Sequence, residues 1–249
     1  MRNNKKTISL LLVLLALAAT TAMATLRGRA WVLDLVQESA DETPAADVSA
    51  PPQSGDEKQR ARRQARSKRY DKSGLVVEPK EAGGDIVRRS ESFRSLPALP
   101  AALSQAVVIG QVADAQSHLS EDKSGVYTEF TVRVTDILKH AGSLTPGEPL
   151  VAQRSGGRVR FRSGLVQRYG IDKQGMPRAG RRYVLFLQES GEDGVFTILT
   201  GYELRGGRVH PLDGVATSVG GGGLSQFAAY EGADETSFLA AVREAIAKP

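Results

Sequence analysis

Arginine is the residue type whose spacing points most clearly to a binding function. Arg158, Arg160 and Arg162 alternate with apolar residues, so an extended strand would place their guanidinium groups on one face. Guanidinium groups form paired hydrogen bonds with phosphate and carboxylate groups. Between residues 154 and 182 the single acid is Asp172. The alternative to a binding surface is that these arginines lie on an outer strand face, where their charge prevents edge-to-edge aggregation. The candidate anion-binding residues are Arg154, Arg158, Arg160, Arg162, Arg181 and Arg182.

Residue types that support catalysis or metal binding are sparse and dispersed. The chain has no cysteine, and the spacing of its three histidines, His118, His140 and His210, does not place two metal ligands on one helix face. The glycines at 220–223 are not followed by the Lys-Ser or Lys-Thr pair of a phosphate loop, and no Gly-x-Ser-x-Gly motif occurs. We therefore expect no catalytic residue, no cofactor and no metal site.

The first 24 residues have the pattern of an export signal. A basic start precedes a largely apolar run at 8–19, and residues 22–24, Ala-Met-Ala, fit a small-residue cleavage site. Because residues 8–26 carry no charge and approach the length of a membrane-spanning helix, a retained membrane anchor is the alternative. Both interpretations predict that the remainder is exported to the periplasm or the extracellular space, and an anchor would tether it to the inner membrane.

Residues 25–98 are predicted to form a disordered, basic linker. From residue 38 to about residue 97 the chain is rich in proline, alanine, serine, glutamine and charge, and it contains too few large apolar residues to offset the entropy of ordering. Within this linker, residues 58–69 form a dense basic run. The run is either a solvated tail or a contact for anionic lipid headgroups, nucleic acid or acidic polysaccharide.

The alternation of apolar and polar residues predicts a β-domain over residues 99–214. The strongest pattern covers residues 126–139, and the turn residues at 120–125 would join it to a strand at 106–113, with Gly110 as a bulge. The nearly continuous apolar run at 181–188 indicates a strand near the centre of the sheet. No helical periodicity separates the strands, which argues against a parallel α/β sheet. The pattern predicts a small antiparallel barrel or sandwich.

The C-terminal end of the chain has a different pattern. Residues 215–233 are predicted to be a glycine-rich spacer, and residues 234–248 an amphipathic helix that Asp234 caps. Such a helix packs either on its own domain or on a partner or membrane surface.

The strand and turn pattern resembles that of a group of uncharacterised exported bacterial proteins, whose pattern is similar in outline to the OB-like barrel of netrin-type and metalloproteinase-inhibitor domains. The resemblance is carried by residues 106–112, 127–139, 146–148 and 180–187. It implies an OB-like barrel of five to six strands and an exported location. The inhibitors depend on cysteines that this chain lacks, so inhibition is not implied.

We therefore predict an exported, non-enzymatic binding or scaffold module whose partner is an anionic polymer, a lipid headgroup or an envelope protein. One alternative is a hydrolase whose site combines His140 or His210 with Asp136 or Asp213 from separate strands. The other is a nucleic-acid-binding OB module, which would set aromatic residues among basic ones. Export argues against nucleic acid, and the basic stretch at 154–182 holds only two aromatic residues.

Overall fold

Extended strands dominate the fold, as the period-two pattern predicts. The computed structural model describes residues 43–48, 64–71, 76–79, 86–88, 96–140, 142, 144–191, 194–214 and 226–248. These residues belong to one compact unit, Thr43–Pro249. The prediction of a mainly β protein with a C-terminal helix is confirmed.

The strands of the described residues are β1 (Ala46–Asp47), β2 (Ile86–Arg88), β3 (Ala106–Leu119), β4 (Val126–His140), β5 (Pro149–Ser155), β6 (Gly157–Arg160), β7 (Val166–Ile171), β8 (Arg182–Glu189), β9 (Val195–Arg205) and β10 (Arg208–Pro211). A helical turn at 64–67 leads into a 3-10 helix at Lys68–Tyr70, and a second 3-10 helix spans Gln226–Tyr230. The C-terminal α-helix, α1, spans Glu235–Ala247.

The β3–β4 pair is the long antiparallel hairpin that the alternation at 126–139 predicts. Its register shifts between Ile109 and Gly110. A Cβ atom on Gly110 would lie 2.6 Å from Cγ1 of Val132, so the strands can approach here only because the residue has no side chain. The predicted irregularity at Gly110 is therefore present, in the part of β3 that also pairs with β8.

Strand pairing in the larger sheet returns to its starting point. The sheet has the order β10, β9, β5, β4, β3, β8, and β8 also pairs with β9. Hydrogen-bonded neighbours therefore lead from β3 through β4, β5, β9 and β8 back to β3. The β5–β9 pair is parallel, and the other pairs of this circuit are antiparallel. The smaller sheet has the order β1, β6, β7, β2.

Strand β8 contributes to both main hydrophobic clusters. Tyr183, Leu185 and Leu187 belong to a cluster with residues of β3, β4, β5 and β9, whereas Val184 and Phe186 point the other way, towards the C-terminal segments. All five side chains are buried. A strand that is apolar on both faces must be covered on both faces. The prediction that residues 181–188 form a central strand is confirmed by its pairing with β3 on one side and β9 on the other.

Helix α1 covers the second cluster. Asp234 caps the helix by accepting a hydrogen bond from the backbone N–H of Ser237 at 3.0 Å. Phe238 and Val242, one turn apart on one face, are buried beside Tyr202 and Phe227. Of the two alternatives for this helix, packing on its own domain is the one observed.

Some predicted segments lie outside the described residues, and these predictions stay predictions. They are the signal or anchor at 1–24, with its uncharged stretch 8–26, much of the predicted linker, including residues 58–63 of the basic run, and the first part of the spacer, 215–225. Within the described part of the chain, no helix combines the length and the apolar character needed to cross a membrane.

Parts of the predicted linker and spacer are ordered against the β-domain. Strand β1 pairs with β6 and strand β2 pairs with β7, so two segments of residues 25–98 add strands to the smaller sheet. Residues 64–71 contact the larger sheet through Tyr70, which is 7% exposed. In the spacer, Phe227 is buried in the cluster under α1.

We predict that α1 contributes substantially to stability through Phe238. Replacing Phe238, which is 1% exposed, with alanine should lower the free energy of unfolding by about 3–5 kcal/mol, because a large buried side chain leaves a cavity. Leu103, which is 53% exposed, is the control, and its replacement with alanine should change the value by less than about 0.5 kcal/mol. Denaturant unfolding measures both, and equal effects would contradict the packing of α1.

Candidate functional site

The outer face of the β6–β7 hairpin carries two of the six predicted arginines, Arg158 and Arg160. Arg158 lies opposite Arg168 in the antiparallel register, and Val159 lies opposite Gln167. Val159 and Gln167 are buried, and since side chains alternate along a strand, Arg158, Arg160 and Arg168 share the outer face. Together with Arg162, which lies in the connection between the two strands, they form what we call the arginine face: Arg158, Arg160, Arg162 and Arg168.

Positive charge exceeds negative charge on the arginine face. Like charges directly opposite each other on paired strands are destabilising, as with Arg158 and Arg168. Neighbouring acids of the described residues include Asp47, opposite Arg160 on β1, and Glu78, which accepts a hydrogen bond from Ser163 in the connection. Arg158 also donates a hydrogen bond to the carbonyl oxygen of Thr43 at 3.4 Å. The hairpin and its connection therefore carry four guanidinium groups, with these two carboxylates among their neighbours.

Arg154 lies in the interior rather than on the arginine face. It is 2% exposed, and its Nη2 atom is 2.5 Å from Oδ2 of Asp213 and 3.1 Å from the carbonyl oxygen of Leu199. Its Nη1 atom donates to the carbonyl oxygen of Gly175 at 2.7 Å, and the Gly175 N–H donates to Asp213 at 2.9 Å. The guanidinium group therefore links β5 to the segments that follow β7 and β10. Its two terminal nitrogen atoms therefore serve the fold.

Arg181 and Arg182 lie beside acids on a different part of the domain. Nη1 of Arg181 is 3.8 Å from Oε1 of Glu203 on β9. Arg182 forms an ion pair with Glu235 at the start of α1. The six predicted arginines therefore do not converge on one site. Arg158 and Arg160 share one strand face, and Arg162 is exposed in the connection that follows.

The histidines and acids of the hydrolase alternative have other contacts in the described residues. Nδ1 of His210 is 2.7 Å from Oε1 of Glu231, and Asp213 is held by Arg154. The ring of His140 packs edge-on against Phe196, with 6.2 Å between ring centroids. Asp136 is exposed on β4. Over the described ranges, no three or more of the side chains that bind metals form a group able to hold an ion.

A second surface, which sequence reasoning missed, lies on β3, β4 and β5. His118 is opposite Tyr127 in the β3–β4 register, and Glu129 is opposite Gln153 in the β4–β5 register, so these side chains share one face. The rings of His118 and Tyr127 stack, with centroids 5.3 Å apart. Nε2 of Gln153 donates to Oε1 of Glu129 at 2.6 Å. We call His118, Tyr127, Glu129 and Gln153 the stacking face.

The stacking face is covered by residues 64–71, which we call the Tyr70 segment. The rings of Tyr70 and Tyr127 are stacked, with centroids 4.3 Å apart and an interplanar angle of 7°. The Tyr70 hydroxyl donates to Oε1 of Gln153 at 3.3 Å. Burial raises the pKa of Tyr70 to about 12, with Arg69 opposing this shift and Glu129 adding to it. The phenol is therefore neutral at physiological pH and remains a hydrogen-bond donor.

The sequence contains one signal that could have identified this contact. Tyr70 directly follows the basic run at 58–69 in a segment otherwise poor in aromatic residues. An isolated aromatic residue in such a segment favours docking onto a folded surface, because a large ring gains most from burial. The surface that receives Tyr70 was harder to find, since Tyr127 occupies a position that alternation alone assigns to the solvent side of β4.

The described residues thus present two surfaces of different chemistry. The arginine face is exposed and positive, and the stacking face is aromatic, bears a carboxylate and is covered by the chain itself. Comparison with models of known protein families, with curated proteins and with solved structures finds no match to this chain.

We predict that Arg154 and Asp213 depend on each other. Replacing Asp213 with alanine should lower the free energy of unfolding by about 3–5 kcal/mol, because it leaves a buried cation without its partner. Combining this change with Arg154→Met should cost less than Asp213→Ala alone. Chemical unfolding of both single variants and the double variant measures the coupling. Strictly additive losses would contradict the paired arrangement.

Proposed function

We propose that this protein is a non-enzymatic binding module built on an OB-like barrel. Support comes from the circuit of strand pairs, in which β3, β4 and β5 form an antiparallel meander and β9 pairs with both β5 and β8. A five-stranded sheet that returns to its first strand, with one parallel pair, is typical of this barrel type. The resemblance of the strand pattern to exported OB-like proteins supports the same assignment.

The proposed ligand is a linear anionic polymer, bound on the arginine face. Along an extended strand, Arg158 and Arg160 are about 7 Å apart, because each residue rises about 3.3–3.4 Å. Arg168 widens this row across the hairpin, opposite Arg158. A row of guanidinium groups at regular intervals suits a chain with repeated sulfate, phosphate or carboxylate groups. The single observation that carries the proposal is the grouping of Arg158, Arg160 and Arg168 on one face of the hairpin, where Arg160 and Arg168 are exposed.

The proposed location is outside the cytoplasm. The basic start, the apolar run at 8–19 and the small residues at 22–24 support export. Fractionation of a bacterial host that expresses the full chain, with mass spectrometry of the purified protein, should place the protein outside the cytoplasm. A mass shortened by about 24 residues would indicate cleavage, and the full mass in the membrane fraction would indicate an anchor. Recovery in the cytoplasm would contradict export.

We predict that the arginine face determines binding to heparin, a convenient linear polyanion. Replacing Arg160, Arg162 and Arg168, its three exposed members, with serine should lower the salt concentration that elutes the protein from a heparin column. The slope of log affinity against log salt should fall by roughly one for each arginine that no longer neutralises a sulfate group.

The matched control replaces Arg133, Arg205 and Arg243, three exposed arginines on β4, β9 and α1, with serine. This variant has the same net charge but keeps the arginine face. Equal elution of the two triple variants would contradict a specific surface. Retention on anionic vesicles without retention on heparin would identify a lipid surface instead.

A further inference from the structure

We propose that the arginine face binds an acidic polysaccharide, and that Asp47 is the residue that selects this class of polymer. The inference rests on the proposed function, because it names the polymer that the arginine face takes. An acidic polysaccharide carries anionic groups and hydroxyl groups along the same chain. The face offers a partner for each kind, since guanidinium groups donate to the anionic groups and the Asp47 carboxylate accepts from the hydroxyl groups.

Asp47 lies on the same face of the smaller sheet as the arginines. Strand β1 pairs in parallel with β6, which sets Ala46 opposite Val159 and Asp47 opposite Arg160. Ala46 and Val159 are buried, whereas Asp47 and Arg160 are exposed. Because side chains alternate along a strand and paired strands lie roughly 4.7–4.9 Å apart, the carboxylate and the guanidinium group point outward side by side. The face therefore combines hydrogen-bond donors with an acceptor.

Residues 43–48 are fixed between β3 and β6 by backbone hydrogen bonds on both sides. The N–H of Val48 donates to the carbonyl oxygen of Arg160 on β6 at 3.0 Å. On the other side, the N–H of Ser117 on β3 donates to the carbonyl oxygen of Pro44 at 3.1 Å. The carboxylate that this segment carries therefore belongs to an ordered strand beside the arginines.

A carboxylate among arginines distinguishes polymers that carry hydroxyl groups from polymers of anionic groups alone. An ionised carboxylate has about four acceptor positions, so Asp47 can accept from a hydroxyl group while it neighbours Arg160. Hydrogen bonds to charged acceptors are stronger than those between neutral groups. Polyphosphate has no hydroxyl groups along its chain and would bring only negative charge to Asp47. The carboxylate therefore attracts a polysaccharide and repels polyphosphate.

The aromatic residues of the basic stretch are turned away from the arginine face. Phe161, which is 5% exposed, and Tyr169 pack with Val126 and Val159 in a hydrophobic cluster on the inner side of the hairpin. Proteins that bind single-stranded nucleic acid stack its bases on aromatic side chains set among basic ones. The outward positions of β6 and β7, both of which the structure describes, hold no aromatic residue. The face therefore suits a polysaccharide better than nucleic acid.

Two forms of polygalacturonate test the role of the hydroxyl groups. The free form carries a carboxylate and hydroxyl groups on its sugars, and the O-acetylated form keeps the carboxylates but lacks the hydroxyl donors. The full chain should bind the free form about tenfold more tightly, as expected for one hydrogen bond to a charged group. Isothermal titration calorimetry at a fixed salt concentration measures both affinities. Equal affinities, or tighter binding of single-stranded DNA than of the free form, would overturn the proposal.

Asp47→Ala tests whether this residue is the selecting acceptor. The variant should bind the two forms of polygalacturonate equally, and it should bind polyphosphate roughly two- to fivefold more tightly because one exposed repulsive charge is gone. Asp136→Ala is the matched control, since it removes an exposed aspartate on β4 and gives the same net charge. The control should keep the preference of the parent chain for the free form. An undiminished preference in Asp47→Ala would overturn the role of Asp47.

Failure of the arginine face and failure of the selection by Asp47 give different results. If the serine variant of Arg160, Arg162 and Arg168 elutes from heparin like its control, the proposed function fails and the polysaccharide assignment fails with it. If that variant elutes earlier than its control while the parent chain binds both forms of polygalacturonate equally, the arginine face stands and only the polysaccharide assignment is overturned.

Discussion

The antiparallel pairing of β3 with β4 is the interaction on which the other parts of the structure depend. Strand β3 also pairs with β8, and β4 also pairs with β5, so the hairpin supplies two successive strands of the circuit that closes through β9. The register of the hairpin shifts at Gly110, within the part of β3 that also pairs with β8. The far end of the hairpin carries Tyr127 and the turn that receives the Tyr70 segment. One pairing therefore organises both the core and the covered surface.

Burial sorts the arginines into different roles. Arg154 is an interior cation, and desolvating it is tolerable because Asp213 and two carbonyl oxygens surround it. Arg181 and Arg182 lie beside acids of β9 and α1. The arginines of β6 and β7 instead face outward on the smaller sheet, where positive charge is in excess. The same side chain thus holds the fold together in one place and offers charge to solvent in another, and only the latter can serve a charged ligand.

The two surfaces differ in how they would respond to a ligand. The arginine face is exposed as it stands, so its affinity is set by charge and salt. The stacking face must first lose Tyr70, and its availability is set by the free energy of docking. In this chain the Tyr70 segment covers the stacking face, where its ring stacks on Tyr127 and its hydroxyl group reaches Gln153.

Local patterns in the sequence determined where most elements lie. Alternation at residues 126–139, the apolar run at 181–188 and the cap at Asp234 each predict an element that the structure contains, because strand and helix periodicity record which side of a segment is buried. The tertiary structure alone decided which distant groups meet. Arg154 is 59 residues from Asp213, and Tyr70 is 83 residues from Gln153. Periodicity carries no information about such partners, because burial of a charge or a ring depends on the surface that the rest of the chain brings to it.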